Sequence, residues 1–209
     1  MRIINPSVSL EQEFNPDEVM KHIERAGRVC YKSESKISDD SAEIFIRNIL
    51  KRGHESVIEH VSLTFKIICD RGVTHEIVRH RIASFSQEST RYCNYSQDKF
   101  GRELTFIKPC YWEEGDERYK IWEGTMNQIE REYFNLIEKG ALPQEARSIL
   151  PNSLKTEIYV TMNLREWRHF LKLRTSKAAH PQMRQIALMI YNIFNEKLPV
   201  IFEDIEVEQ

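Results

Sequence analysis

Val61-Ser62-Leu63-Thr64-Phe65-Lys66-Ile67 alternates apolar and polar side chains along its whole length. A period of two puts Val61, Leu63, Phe65 and Ile67 on one face and the polar residues on the other, the pattern of a half-buried strand. Ile158-Tyr159-Val160-Thr161-Met162 repeats it near the other end of the chain, and Leu104-Thr105-Phe106-Ile107 reads as a further short strand. Around these strands the pattern turns helical. Asn15-Pro16-Asp17-Glu18 opens a helix, with Asn as cap, Pro in the first turn and two acids facing the dipole. A second helix runs from Ser38-Asp39-Asp40 to Lys51-Arg52 and stops at Gly53. The longest spans about Asp116 to Lys139, with Tyr119, Trp122, Met126, Ile129, Tyr133 and Leu136 at helical spacing. Helices over 164–173 and from Pro181 to Pro199 complete the set, with a short one from Leu142-Pro143. Strands and helices alternate without a regular βαβ series. The expected class is therefore α+β: one domain over residues 1–209, with a central, mostly antiparallel sheet covered by helices and helical segments at the periphery.

Composition narrows the function classes. The 209 residues are 41% hydrophobic and 30% charged, an ordinary globular balance with room for a core. A formal net charge of −2 argues against a broad nucleic-acid-coating face. The bases are concentrated instead. Arg71, Arg79, Arg81 and Arg91 form one island, and Arg165, Arg168, Lys172, Arg174, Lys177 and Arg184 form a second, with Glu166 its only acid. Cys30, Cys69, Cys93 and Cys110 lack metal or redox spacing, so reduced thiols and a cytoplasmic setting are expected. No apolar run approaches the roughly 20 residues of a membrane span, and Met1-Arg2-Ile3-Ile4-Asn5-Pro6 does not read as a targeting segment.

Arg79-His80-Arg81-Ile82-Ala83-Ser84-Phe85-Ser86-Gln87-Glu88-Ser89-Thr90-Arg91-Tyr92 has bases at both ends and hydroxyls and amides between. That suits a ligand with a phosphate and a polar ring. Asp70-Arg71-Gly72 reads as a turn before a short helix leading into Arg79, after which Ser84, Ser86, Gln87, Ser89 and Arg91 follow without an apolar strand. Arg79-His80-Arg81 by itself is equally a solvated basic helix end. Ser89 lacks a nucleophile elbow and reads as a hydrogen-bond donor to phosphate. No glycine-rich phosphate loop exists, so phosphate contacts would come from side chains, for which arginine's planar fork is suited. In the second island Arg165 and His169 share a helix face at i, i+4. Asn163 and Arg174 mark that helix's two ends, while Arg168 and Lys172 read as a solvated face. His54 and His60 lie six apart, about 240° around a helix, so no zinc site follows and no metal is expected. His54 and Ser56 gain a functional reading only if their turn edges a site.

Arg79 to Ser89 resembles the Arg-His-Arg, seven residues, Ser signature of the flavin-dependent thymidylate synthases, with Ser84, Arg91 and Tyr92 also in agreement. Gly53-His54-Glu55-Ser56 with Glu59-His60, Ala146-Arg147 before Leu150-Pro151, and Asn163-Leu164-Arg165 with His169 and Leu173-Arg174 are similar to further motifs of that family. The resemblance implies reductive methylation of dUMP to dTMP. Methylenetetrahydrofolate would be the carbon donor and NADPH-reduced FAD the mediator. Ser56, Arg79, His80, Arg81, Gln87, Asn163, Arg165 and His169 would line the FAD site. Glu76, Arg79, Gln87, Ser89, Arg91, Arg147 and Arg174 would surround dUMP, with Arg174 facing the uracil as the catalytic group. It also implies a homotetramer with shared sites, and neither a nucleic-acid nor a membrane partner. Glu76 stands where some members carry Gln, and His169 where others carry Asn. Outside that family, the same islands fit an anion-, nucleotide- or RNA-binding module without catalysis.

Overall fold

In the computed structural model, which describes residues 1–207, the alternating segment is β3 (Ser62–Asp70), buried at Leu63, Phe65, Ile67 and Cys69. Its partner β6 (Lys155–Asn163) buries Thr156, Ile158, Val160 and Met162 on the same two-residue period. The remaining strands are β1 (Arg2–Ile4), β2 (Ser7–Leu10), β4 (Ala83–Gln87) and β5 (Thr105–Ile107). The helices are α1 (Pro16–Val29), α2 (Ser41–Lys51), α3 (Arg71–Ile77), α4 (Glu117–Glu138), α5 (Pro143–Ala146), α6 (Leu164–Arg174), α7 (Pro181–Lys197) and α8 (Pro199–Phe202). One sheet has the order β2-β3-β6-β4, and β1 pairs with β5 in a second. The α+β class therefore holds. β3 and β6 are antiparallel: Leu164 N–H meets the Val61 carbonyl, the Thr64 and Thr161 hydroxyls touch at 2.8 Å, and Arg71 N–H meets the Leu154 carbonyl. The β1–β5 pair is parallel, with Arg2 opposite Thr105. Too short to show a period, β1 and β2 left no sequence signal.

The chain divides into two compact units. One comprises Met1–Ser7, Ile67–Arg79 and Ser86–Ile158; the other comprises Val8–Lys66, His80–Phe85 and Tyr159–Gln209. In the first, Tyr95, Leu104, Phe106, Met126, Tyr133, Ala146 and Leu154 form the core. The aromatic stripe of α4 is thus packing, as its spacing implied, although Leu136 is exposed. Glu130 on α4 accepts Leu104 N–H at 2.8 Å and pairs with the Met1 ammonium at 2.9 Å. In the second unit Phe65, Trp167, Phe194 and Phe170 pack edge to face, with Phe65 and Trp167 centroids 5.1 Å apart. Each such pair contributes about 0.5–1.5 kcal/mol beyond area burial. The Trp167 indole donates to the Leu63 carbonyl at 3.0 Å, so its one polar atom is satisfied.

Several local expectations change. Asp70 is a cap rather than a turn residue: its carboxylate accepts Val73 N–H at 2.7 Å and starts α3 directly after β3. The polar Ser84–Gln87 stretch lies in β4, since its backbone is taken up by the sheet whatever its side chains prefer. Residues 55–60 wind into a 3-10 turn after Gly53, whose φ of 72° suits glycine. His80 does not sit on a solvated helix end; it is 4% exposed. Arg168 overturns the solvated-face reading most fully. Leu164, Trp167, Arg168 and Leu171 fall at i, i+3, i+4 and i+7, so Arg168 belongs to the buried stripe of α6. Its guanidinium pairs with Asp204 at 2.6 and 2.7 Å and with Glu55 at 3.3 Å, and also meets the Ile201 carbonyl. Those partners offset the desolvation of a buried charge.

Candidate functional site

His80, Glu166, His169 and Arg174 gather in the second unit. The chain leaves α3 and brings His80 onto α6, where the Phe170 ring lies 4.9 Å and the His169 ring 5.7 Å from the imidazole. His80 Nδ1 is 3.2 Å from Glu166 Oε1, and Arg174 Nε–H donates to His80 Nε2 over 3.2 Å. Burial first, and then the Arg174 guanidinium and the neighbouring His169 ring, push the His80 pKa down to about 4. Burial raises that of Glu166. At neutral pH the imidazole is therefore uncharged, with one donor and one acceptor nitrogen. The ligand atoms of His80, Glu166 and His169 lie within 4.8 Å of one another. A cation there would face the Arg174 guanidinium across the His80 ring and would need Nδ1, the nitrogen turned to Glu166, as its ligand. Charge and tautomer both oppose it.

Asn163 begins α6 as its N-cap, its side-chain oxygen accepting Glu166 N–H at 2.9 Å. That carbonyl oxygen is spent on the helix rather than on a ligand. Arg165 is exposed and paired with Glu59, Nη1 to Oε1 at 2.5 Å, and with Glu55 at 3.9 Å. It borders a cavity of about 790 Å³ together with Ser56 and His54, so the turn holding those two edges a cavity. Lys36 and Arg52 add further positive charge to the lining, against the single carboxylate of Glu55, while Arg28 is paired with the buried Glu24 at 2.7 Å. Volume and charge suit an anionic cofactor; such sites run to roughly 300–1,000 Å³. FAD, with its pyrophosphate, fits this donor set. Arg81 is exposed.

In the first unit Gln87 gives its amide N–H groups to the Thr74 and Thr156 hydroxyls at 3.1 and 3.2 Å. Next to it Glu88 is held by the Tyr95 hydroxyl at 2.8 Å and Lys155 at 3.1 Å. Ser89 and Arg91 share a turn, in which Ser89 Oγ accepts Arg91 N–H at 3.3 Å and the Ser89 carbonyl accepts Tyr92 and Cys93 N–H. The Ser89 hydroxyl proton remains a donor, in keeping with a phosphate contact. The Arg91 guanidinium lies 5.3 Å from the Tyr92 ring centre. Glu76 is half-buried and its carbonyl accepts Arg79 N–H. Arg79 and Arg147 are exposed. Among the described residues no carboxylate pairs with Arg79, Arg81, Arg91 or Arg147.

Sequence reasoning missed Glu166, the lining cations Arg28, Lys36 and Arg52, and the acids that hold the second island. Glu166 carried a signal: Asn163-x-x-Glu166 is a capping-box spacing, which points to the helix start but not to His80.

Residues 13–200 match the family model described as thymidylate synthase complementing protein. A flavin-dependent thymidylate synthase of Geobacter sulfurreducens is 36% identical over 186 residues, covering 86% of this chain and 78% of the relative. That of Pyrococcus furiosus is 40% identical over 162 residues, 77% of this chain and 66% of the relative. Among solved structures, the UMP/dUMP methylase PolB of Streptomyces cacaoi, crystallised with 5-Br dUMP, superposes with a TM-score of 0.78 at 26% identity, covering 97% of this chain and 96% of that one.

Proposed function

The chain belongs to the flavin-dependent thymidylate synthase family, and on that premise we propose that it methylates dUMP to dTMP, residues 1–209 acting as one catalytic domain. The carbon donor is methylenetetrahydrofolate and the reductant NADPH. The observation that carries the reading is Arg174: partly buried and held at Nε by a neutral His80, it is an oriented guanidinium rather than a mobile surface charge. Facing the uracil ring, it stabilises negative charge that develops on the pyrimidine. FAD, when bound, supplies the reducing equivalent. This chain's residues bind and orient. Ser56 and Arg165 border the cavity that suits the cofactor, and Arg79, His80, Arg81, Gln87, Asn163 and His169 are the further residues assigned to FAD. Ser89 and Arg91 take the dUMP phosphate from their common turn, with Glu76, Arg79, Gln87 and Arg147 around the nucleotide. Each charge-assisted hydrogen bond contributes about 1.5–3 kcal/mol.

The assembly we propose is a homotetramer with shared sites, without a nucleic-acid partner. No helix among the described residues is long and apolar enough to cross a membrane. Cys30, Cys69, Cys93 and Cys110 are unpaired thiols, which fits a cytoplasmic setting. The test is anaerobic bleaching of the visible flavin band by NADPH, with and without dUMP. Bleaching that responds to dUMP is the expected result. A protein that stays colourless after FAD is added, and binds dUMP only as a salt-sensitive anion, would instead be a binding module.

A further inference from the structure

We propose that Glu166 is a positioning residue: its carboxylate accepts Nδ1–H of His80, leaving Nε2 as the acceptor that holds Arg174. The inference rests on the reading in which Arg174 faces the pyrimidine, and it adds a residue that the family motifs quoted above do not include. Its direction follows from hydrogen-bond inventory. Arginine has donors and no acceptor, so the 3.2 Å contact from Arg174 Nε requires a bare Nε2. A neutral imidazole with a bare Nε2 carries its proton on Nδ1, and the atom 3.2 Å from Nδ1 is Glu166 Oε1. Burial and the Arg174 guanidinium, which keep His80 neutral, are therefore part of the same device.

Glu166 is itself fixed. It is 8% exposed, its N–H is bound by the Asn163 cap, and its carboxylate lies in the first turn of α6, where the helix dipole favours negative charge. Arg174 lies in the last turn of the same helix. Phe170, between them in sequence, packs against the His80 ring. One helix thus carries both ends of the chain Arg174–His80–Glu166, and His80 bridges them from a separate segment. With either His80 nitrogen protonated at random, half the orientations would set an N–H against the guanidinium; the carboxylate removes that choice.

The test uses the flavin-loaded protein labelled with 15N at histidine, as wild type, Glu166→Gln and Glu166→Ala. The 15N shifts of His80 report its tautomer without turnover. Nδ1–H is expected in the wild type and in Glu166→Gln, whose amide oxygen still accepts, with near-normal kcat in that variant. In Glu166→Ala the expected result is a shift toward Nε2–H. Its kcat should fall about 10–100-fold, as for carboxylates that orient metal-bound histidines, with KM for dUMP and flavin content little changed. An Nε2–H tautomer in the wild type, or an unchanged tautomer in Glu166→Ala, would overturn the proposal. So would Zn²⁺ binding tightly at His80 Nδ1. If the tautomer responds as expected in a protein that makes no dTMP, the hydrogen-bond chain stands and the functional reading alone falls.

Discussion

The two basic islands look alike in sequence and are treated differently by the fold. In the second, Arg165 pairs with Glu59 and Glu55, Lys172 with Glu55, and Arg168 with Asp204 and Glu55. Those acids come from residues 55–59 and from the chain's far end, out of reach of any local reading. In the first, Arg79, Arg81 and Arg91 remain exposed and meet no carboxylate among the described residues. A run of cations is therefore not one kind of feature. Where acids converge on it, it is largely structural; where they do not, it is available to an anion. Arg174, in the second island, has its Nε bound to an imidazole nitrogen.

Arg174 should show the largest effect. Arg174→Ala is expected to lower turnover by about 10²–10³, the loss of one charge-stabilising donor, with FAD still bound; near-normal turnover would move Arg174 to the structural side. The acid limb of stability is next. The folded-state pKa of His80 lies at about 4, below its ordinary 6.5. Its contribution is thus complete above pH 6.5 and is lost as pH falls from 6.5 to 4, up to about 3 kcal/mol. Denaturant midpoints measured across that window should fall in the wild type and fall less in His80→Asn. Arg91→Ala is expected to cost about 1.5–3 kcal/mol of dUMP binding, whereas Lys172→Ala leaves dUMP binding unchanged; calorimetry on both sets the two islands side by side. Asp204→Ala removes one partner of a buried guanidinium. Breaking such a pair outright costs roughly 3–5 kcal/mol; with Glu55 and the Ile201 carbonyl still in place the expected loss is about 2 kcal/mol, read from urea unfolding with turnover per folded protein preserved.

Local pattern carried the strands and helices whose signals are local. The period of two in β3 and β6, the Asn15 cap and the aromatic stripe of α4 follow from side chains a few residues apart. Even so, Asp70 shows the limit: one residue can end a strand and cap the next helix, and only its bond to Val73 N–H decides which reading is correct. Ser84 to Gln87 shows another, since a polar segment becomes a strand when a neighbour supplies the ladder.

The sequence by itself determined the α+β alternation, the two islands and the motif that identifies the family, because each is written in residues adjacent in the chain or one turn apart. It did not determine charge state or pairing. Glu166 meets His80 across 86 positions, Arg168 meets Glu55 across 113, and His80 meets Arg174 across 94. Burial and neighbouring charge act through space, so whether a base is neutral, paired or open to a phosphate was decided only when the tertiary structure brought those partners together.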